Sequence, residues 1–264
     1  MSFDISREPL LRTSIFIFIL IILALLESSS PRRRYSVDRK QRWLTNFSLL
    51  FTDTLAVRLC FPLAATGVAL YAQQRGIGLF NRFELPPYLS WFCGLLILDC
   101  LIYWQHRLMH RIPLLWRLHK VHHTDIDLDL STGIRFHPLE VLLSMLLKTG
   151  FILLFGIPAA AVLLFEILLN GFSLYTHSNL ALPARLEPWL RRLLVTPDMH
   201  RIHHSLDRRE TDSNFSFHLS VWDRLFGSYT VAPKLDSGSM PLGLAEYRRA
   251  GELGLLNLLR IPFI

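Results

Sequence analysis

The stretch from residue 139 to residue 175 constrains this chain more than any other feature. It is 37 residues of mostly apolar sequence. As one continuous helix it would extend about 55 Å, against a bilayer core of about 30 Å. Gly156 and Pro158 interrupt it near the middle, where a helix breaks. The stretch therefore reads as two arms of a hairpin whose ends lie on one face of a membrane. Three further apolar stretches precede it. Residues 14–26, extended past Arg12 by Leu10 and Leu11, predict a retained N-terminal anchor with Arg12 snorkelling at one end. The basic residues Arg32, Arg33 and Arg34 follow it where a small-residue cleavage site would mark a signal peptide. Residues 47–71 and 86–104 predict a second and a third span.

Composition agrees with a membrane protein. Hydrophobic residues make up 51% and charged residues 19%, with a mean hydropathy of +0.33. Soluble domains carry about 25% charged residues. These values exclude a disordered chain, a collagen-like repeat and a disulfide scaffold. The net charge of +7 comes from basic residues that flank the apolar stretches, which suits a membrane surface and not nucleic acid. Between residues 32 and 42 lie Arg32, Arg33, Arg34, Arg39, Lys40 and Arg42 against the single acid Asp38. The positive-inside rule places this segment in the cytoplasm. Tracing the spans onward puts every histidine-bearing segment on that same side.

The expected organisation is a membrane anchor at 1–30, a membrane domain at 31–230, and a tail at 231–264. An amphipathic helix is expected over 244–264, lying on the membrane surface or else packed as an ordinary helix. The fold class is all-α: a bundle of about four membrane helices or hairpins under a cytoplasmic, histidine-rich helical cap. Cys60, Cys93 and Cys100 lie in apolar runs and are expected as buried free thiols.

Eleven histidines are present, none before His106. Eight fall in three clusters: His106 and His110; His119, His122 and His123; His200, His203 and His204. The spacings are HxxxH, HxxHH and HxxHH. On a helix, positions i, i+3 and i+4 share a face, so each cluster is expected to aim its imidazoles at one point. Neutral imidazole suits iron, zinc, copper and nickel, and eight ligands exceed the needs of one ion. Two ions sharing the set is the economical reading. His137 opens the hairpin and His177 closes it, so both join by location, whereas His218 reads as a packing or surface residue. Asp99, Tyr103, His106 and His110 form one helical stripe; Glu166, Asn170, Ser173 and His177 form another. Ionisable groups at membrane depth normally face a bundle interior. Iron held this way can abstract hydrogen from an unactivated C–H bond with O2, whereas zinc would generate hydroxide for hydrolysis. A metal transporter or sensor would need ligands at mid-membrane, and these clusters sit at span ends.

The segments around His106 and His110, Trp116 to His123, Arg135 to Glu140, His177 to Asn179, Thr196 to His204, and Trp222 to Gly227 together resemble the fatty acid hydroxylase / sterol desaturase superfamily, closest to its short bacterial-type members. The resemblance covers roughly residues 43–229. It implies an integral-membrane helical fold with a di-iron centre that uses O2 and electrons to hydroxylate or desaturate lipids. The implied ligands are His106, His110, His119, His122, His123, His200, His203 and His204. His177 matches the second member of an additional HxxxH pair, whose first position here is Ser173. His137, Asp99, Glu166, Asn170, Asp198 and Asp223 stand as further metal-binding or ligand-orienting candidates. No catalytic group beyond the metal ligands is singled out. The expected cofactors are two iron ions, with zinc as an alternative occupant of purified protein, and O2 as co-substrate. The chain has no flavin fingerprint, haem motif or iron–sulfur cysteine set. Electrons would therefore come from an external donor, a reductase, ferredoxin or cytochrome. The expected location is the cell inner membrane, or the endoplasmic reticulum in a eukaryote, with the site on the cytoplasmic face and a membrane lipid as substrate.

Overall fold

Prolines set where many of the helices begin, because a first-turn residue needs no N–H and proline's fixed φ already suits a helix. Pro9, Pro87, Pro113, Pro138 and Pro197 all occupy first-turn positions. The computed structural model describes residues 7–249 and 253–264. Among them the chain is helical, without strands. The elements are α1 (Glu8–Ser29), α2 (Arg39–Cys60), α3 (Ala64–Gln74), α4 (Leu79–Arg82), α5 (Pro87–Arg111), α6 (Pro113–His123), α7 (Pro138–Phe155), α8 (Ala159–His177), α9 (Glu187–Leu190), α10 (Pro197–His203), α11 (Arg208–Thr211), α12 (Val221–Leu225) and α13 (Leu255–Arg260). Turns of 3-10 helix lie at Leu130–Ile134 and Ile261–Phe263.

Among the described residues, five stretches are long and apolar enough to cross a membrane: Glu8–Ser29, Arg39–Arg82, Pro87–Arg111, Pro138–Phe155 and Ala159–His177. The hairpin is formed by α7 and α8. Gly156 caps α7 with φ at +68°, the left-handed conformation that only glycine adopts freely. The second span is not one helix over 47–71. It breaks after Cys60, because Pro62 disfavours helical backbone at the residue before it, and resumes as α3. The third helix runs past Trp104 to Arg111, so the first histidine pair rides on it.

The apolar core lies among α3, α5, α7 and α8, where Leu98, Ile102, Met145, Ile152, Val162 and Phe165 pack together. Helix α1 is the outermost. Leu10, Phe18 and Leu25 on it are exposed, as befits a face toward lipid. Arg12 does not snorkel from one end. Its guanidinium pairs inward with Glu166 at 2.8 Å and with Glu8 at 3.1 Å. The three cysteines are free, but Cys60 is exposed and the other two are only half-buried.

Within the stretch expected to form a surface helix, residues 250–252 lie outside the described residues. The rest holds only α13 and the 3-10 turn after it. Leu258 and Ile261 there are buried against Leu49 of α2 and Val121 of α6. This helix is packed into the protein rather than laid on a membrane.

Polar anchors tie the loops to the bundle. Glu27, buried at the end of α1, accepts from Tyr35, Arg39, and the backbone N–H groups of Leu130 and Asn179. Arg42 donates to Asp125, Asp129, Thr132 and the Asp127 carbonyl. Burial alone would raise the Asp125 carboxyl, yet Arg42 and Arg135 hold it down at about 2. These contacts press the 3-10 turn onto α8 so closely that a Cβ on Gly133 would lie 2.3 Å from the Ser173 carbonyl oxygen. Gly133→Ala should therefore cost about 1–3 kcal/mol through overpacking. A lower melting temperature in detergent solution checks this, and an unchanged one contradicts it.

Candidate metal centre

Ile112 turns the chain into the site. It precedes Pro113, so its backbone is extended (φ −94°, ψ 116°), and it ends α5 while capping α6. The reversal lays α6 back along the end of α5. The rings of His106 and His119 come within 4.8 Å, as do those of His110 and His123. Helix α10 closes the arrangement, with His203 4.5 Å from His106 and 4.7 Å from His110.

Nine buried histidines gather into two groups. His106, His110, His119, His123 and His203 form one, and His122, His177, His200 and His204 form the other. Within each group the available ligand atoms lie within 4.8 Å of one another. Neither HxxHH box converges on one point, as its spacing had suggested. On α6, His119 and His123 join the group of five while His122 joins the group of four. On α10 the assignment reverses: His200 and His204 join the four and His203 joins the five. Each residue turns a helix by about 100°, so i and i+4 stay together while i+3 points about 100° away from i+4. Each box is thus wedged between the two groups and serves both.

The second ring nitrogen of most of these histidines is anchored. His106 Nδ1 meets the Phe215 carbonyl at 2.8 Å, His203 Nδ1 the Ser213 carbonyl at 2.8 Å, and His177 Nδ1 the Ser173 carbonyl at 2.7 Å. His122 Nδ1 meets the Arg135 carbonyl at 3.2 Å. His119 Nδ1 lies 2.7 Å from Glu140, and His110 Nδ1 lies 3.2 Å from Asp212. A carbonyl or carboxylate oxygen can only accept, so each of these Nδ1 atoms carries the hydrogen and each Nε2 presents a lone pair. In the group of five, every Nε2 is buried without a partner. In the group of four, His177 Nε2 lies 2.9 Å from both His122 Nε2 and His200 Nε2. The His122 and His177 lone pairs face one another there, which is unfavourable unless a cation sits between them. Nitrogens at right angles on a metal with bonds of about 2.0–2.1 Å would be about 2.9 Å apart. Burial first, and then the neighbouring imidazoles, holds His122, His123, His200 and His204 well below the ordinary histidine range. Burial also pushes His203 down to about 3. They are neutral at physiological pH, the form that binds metal. Both groups are therefore able to hold a metal ion.

The remaining candidates fall outside the two groups. His137 caps α7 through Nδ1 and contacts the Leu259 carbonyl. Asp99 turns away from the histidines of its own stripe and holds His218 at 2.5 Å and the Trp222 indole at 2.8 Å. His218 is accordingly a buried packing residue. Asp198 pairs with Arg32 and Ser237. Asp223 bonds the backbone N–H groups of Phe215 and Ser216; it acts one step away from the site, by fixing the carbonyl that anchors His106. The reading from sequence missed Glu140 and Asp212 as imidazole anchors. Glu140 follows His137 in a box already singled out, but nothing in its spacing connects it to His119. Asp212 lies in a loop with no motif at all.

Beside the group of five opens a cavity of about 600 Å³, lined by apolar residues such as Phe16, Leu50, Ile102 and Met145, and reaching His106 and His119. Its volume is that of a small-molecule pocket. Glu166 and Asn170 lie on its wall. Glu166 is neutralised there by Lys148 at 2.5 Å and by Arg12, the pairing that an intramembrane carboxylate requires.

The sequence pattern described as fatty acid hydroxylase matches residues 91–228. The chain is 32% identical over 155 residues to alkylglycerol monooxygenase of Homo sapiens, covering 57% of this chain and 33% of that protein. It is 30% identical over 185 residues to an ornithine lipid hydroxylase of Rhizobium tropici, covering 69% and 54%. To lathosterol oxidase of Homo sapiens it is 26% identical over 215 residues, covering 81% and 68%. The chain thus spans about a third to a half of the length of the first two. No solved structure gives a significant match.

Substitutions separate the anchoring roles. His203→Ala should lower the metal content per chain, and Glu140→Gln should weaken metal affinity about 10–100-fold by loosening His119. His218→Ala should leave the metal content unchanged. Elemental analysis of the purified variants checks all three, and metal loss on His218→Ala equal to that on His203→Ala contradicts the assignment.

Proposed function

Because the chain belongs to the fatty acid hydroxylase family, we propose that it is an O2-dependent, integral-membrane oxidase that acts on a C–H bond of a lipid. One observation carries this reading: nine buried imidazoles form two groups of converging nitrogens beside an apolar cavity. Two iron ions held by His106, His110, His119, His123 and His203 and by His122, His177, His200 and His204 would supply the O2 chemistry that no side chain provides.

The residues of the chain do the rest. Phe215, Ser213, Ser173 and Arg135 carbonyls, with Glu140 and Asp212, hold the imidazoles in the tautomer that binds metal. The apolar lining by Phe16, Leu50, Ile102 and Met145 takes up the hydrocarbon part of the substrate and keeps water from the reacting carbon. Hydroxylation converts one C–H bond and O2, with two electrons and two protons, into C–OH and water. Desaturation spends the same reactants on two adjacent C–H bonds and yields a double bond and two waters. Both begin by removing one hydrogen, and hydroxylation is the preferred outcome, in keeping with the named monooxygenase and hydroxylase relatives. The electrons come from an external reductase, ferredoxin or cytochrome. The protein resides in the inner membrane with the histidine groups on the cytoplasmic side.

Elemental analysis of detergent-purified protein from iron-replete cells should find about two irons per chain, matching the two groups. Incubation with membrane lipids, O2 and a reductant should then yield a lipid one oxygen heavier by mass spectrometry. Zinc that resists anaerobic iron reconstitution, with no O2 uptake, contradicts this reading. For topology, a cysteine replacing Ser239 should be shielded from an impermeant thiol label outside intact cells; labelling there contradicts the cytoplasmic placement.

A further inference from the structure

Most of the imidazole anchors are out of reach of solvent. Phe215, Ser213, Ser173, Arg135 and Glu140 are all buried. Asp212 is the exception among the described anchors: its side chain is 39% exposed while its Oδ1 contacts His110 Nδ1. Beside it, the half-buried Trp116 ring packs 4.9 Å from His110 and 5.4 Å from His123. The outer face of that ring carries the Arg208 guanidinium at 4.7 Å, and Arg208 is itself 56% exposed and bonded to Asp212. One aromatic ring and one carboxylate therefore lie between the group of five and water. Electron tunnelling through protein falls steeply with distance, so a cover one ring deep suits electron entry.

The surface around it is basic. Arg111, Arg117, Arg208 and Arg209 are exposed, and Lys120 is half-buried. Asp212 and the exposed Glu246, which faces Lys120, are the nearby acids among the described residues. Asp207, next to this patch, pairs with Lys234. Arg111, Arg117 and Arg209 make no salt bridge with a carboxylate among the described residues, and such a surplus of positive charge steers an anionic partner over about a Debye length and gains nothing from a neutral one.

We propose that the face around Trp116, Arg117, Arg208 and Arg209 docks a small acidic electron-transfer protein, and that electrons enter the group of five through Trp116. The inference rests on the oxidase reading above. Each encounter delivers one electron from the reduced donor, which leaves oxidised, and two encounters supply the pair that one turnover consumes. The lipid cavity lies on another side of the group of five, along His106 and His119, so donor and substrate approach from different directions.

Two measurements test it. In anaerobic stopped-flow on iron-loaded protein, Arg117→Glu combined with Arg209→Glu should slow reduction by the dithionite-derived SO2 radical anion about 10-fold at low salt, and should speed reduction by the cationic methyl viologen radical. High salt should erase both changes. Trp116→Leu should slow both reductants with the metal content unchanged, and Trp116→Phe, which keeps a ring in place, should recover much of the rate. On metal-free protein, an acidic plant-type [2Fe–2S] ferredoxin should bind the native surface at low salt and fail to bind the doubly substituted one. An unchanged ratio of the two reduction rates, a native rate in Trp116→Leu, or equal ferredoxin binding by both surfaces overturns the proposal. Protein that holds no reducible metal would refute the oxidase reading instead, and the ferredoxin arm would still report on the surface.

Discussion

A buried imidazole needs a partner at each nitrogen, and nine of them crowd into one region of this protein. Most are held by Nδ1 on a carbonyl or carboxylate, which commits Nε2 to a lone pair. The lone pairs then have only each other, at 2.9 Å in the group of four. Without a cation this arrangement is unfavourable; with one in each group it becomes a preorganised ligand set. Much of the surrounding architecture exists to hold it against that tension.

The holding is done by backbone more than by side chains. Phe215 and Ser213 lie in a loop that regular secondary structure would not fix, and Asp223 fixes it by accepting from Phe215 and Ser216. The Arg135 carbonyl anchors His122 while its guanidinium, fully buried, reaches Asn46 and Thr124. Arg42 gathers Asp125 and Asp129 beneath it. Buried charge of this kind contributes little net stability, because desolvation offsets the attraction. Its value here is positional: it sets the fourteen-residue loop between α6, which carries three of the histidines, and α7, which carries their anchor Glu140. Gly133 shows how tight the result is, since its turn rests against the carbonyl of Ser173 that orients His177.

The group of five has two distinct approaches. On one side an apolar cavity reaches His106 and His119, and Glu166 on its wall is paired with Lys148 and Arg12. On the other, the half-buried Trp116 and the exposed Asp212 cover His110. The proposed oxidase, bringing a water-soluble reductant to a lipid, would use such a division. The corner at Ile112, where α5 leaves the bundle and α6 turns back, creates both faces at once.

Period and composition were enough to read the membrane helices, the hairpin break at Gly156 and Pro158, and the histidines that gather. These depend on local rules: a proline or glycine acts on its own backbone, and HxxHH places three rings on one side of any helix. How the rings are shared was not legible, because it depends on which neighbour each face of α6 and α10 meets. Hence each box divides between two groups, and hence Ser173 serves His177 through its carbonyl where a histidine side chain had been sought. The same holds for Glu140, Asp212 and Trp116, whose partners lie on other elements or several turns away, and for Asp99, which left its helical stripe for His218. Sequence by itself determined the residue types, their spacing and the membrane-spanning stretches. Only the tertiary structure decided which lone pairs face which, since that is a matter of distances between elements that spacing along the chain does not encode.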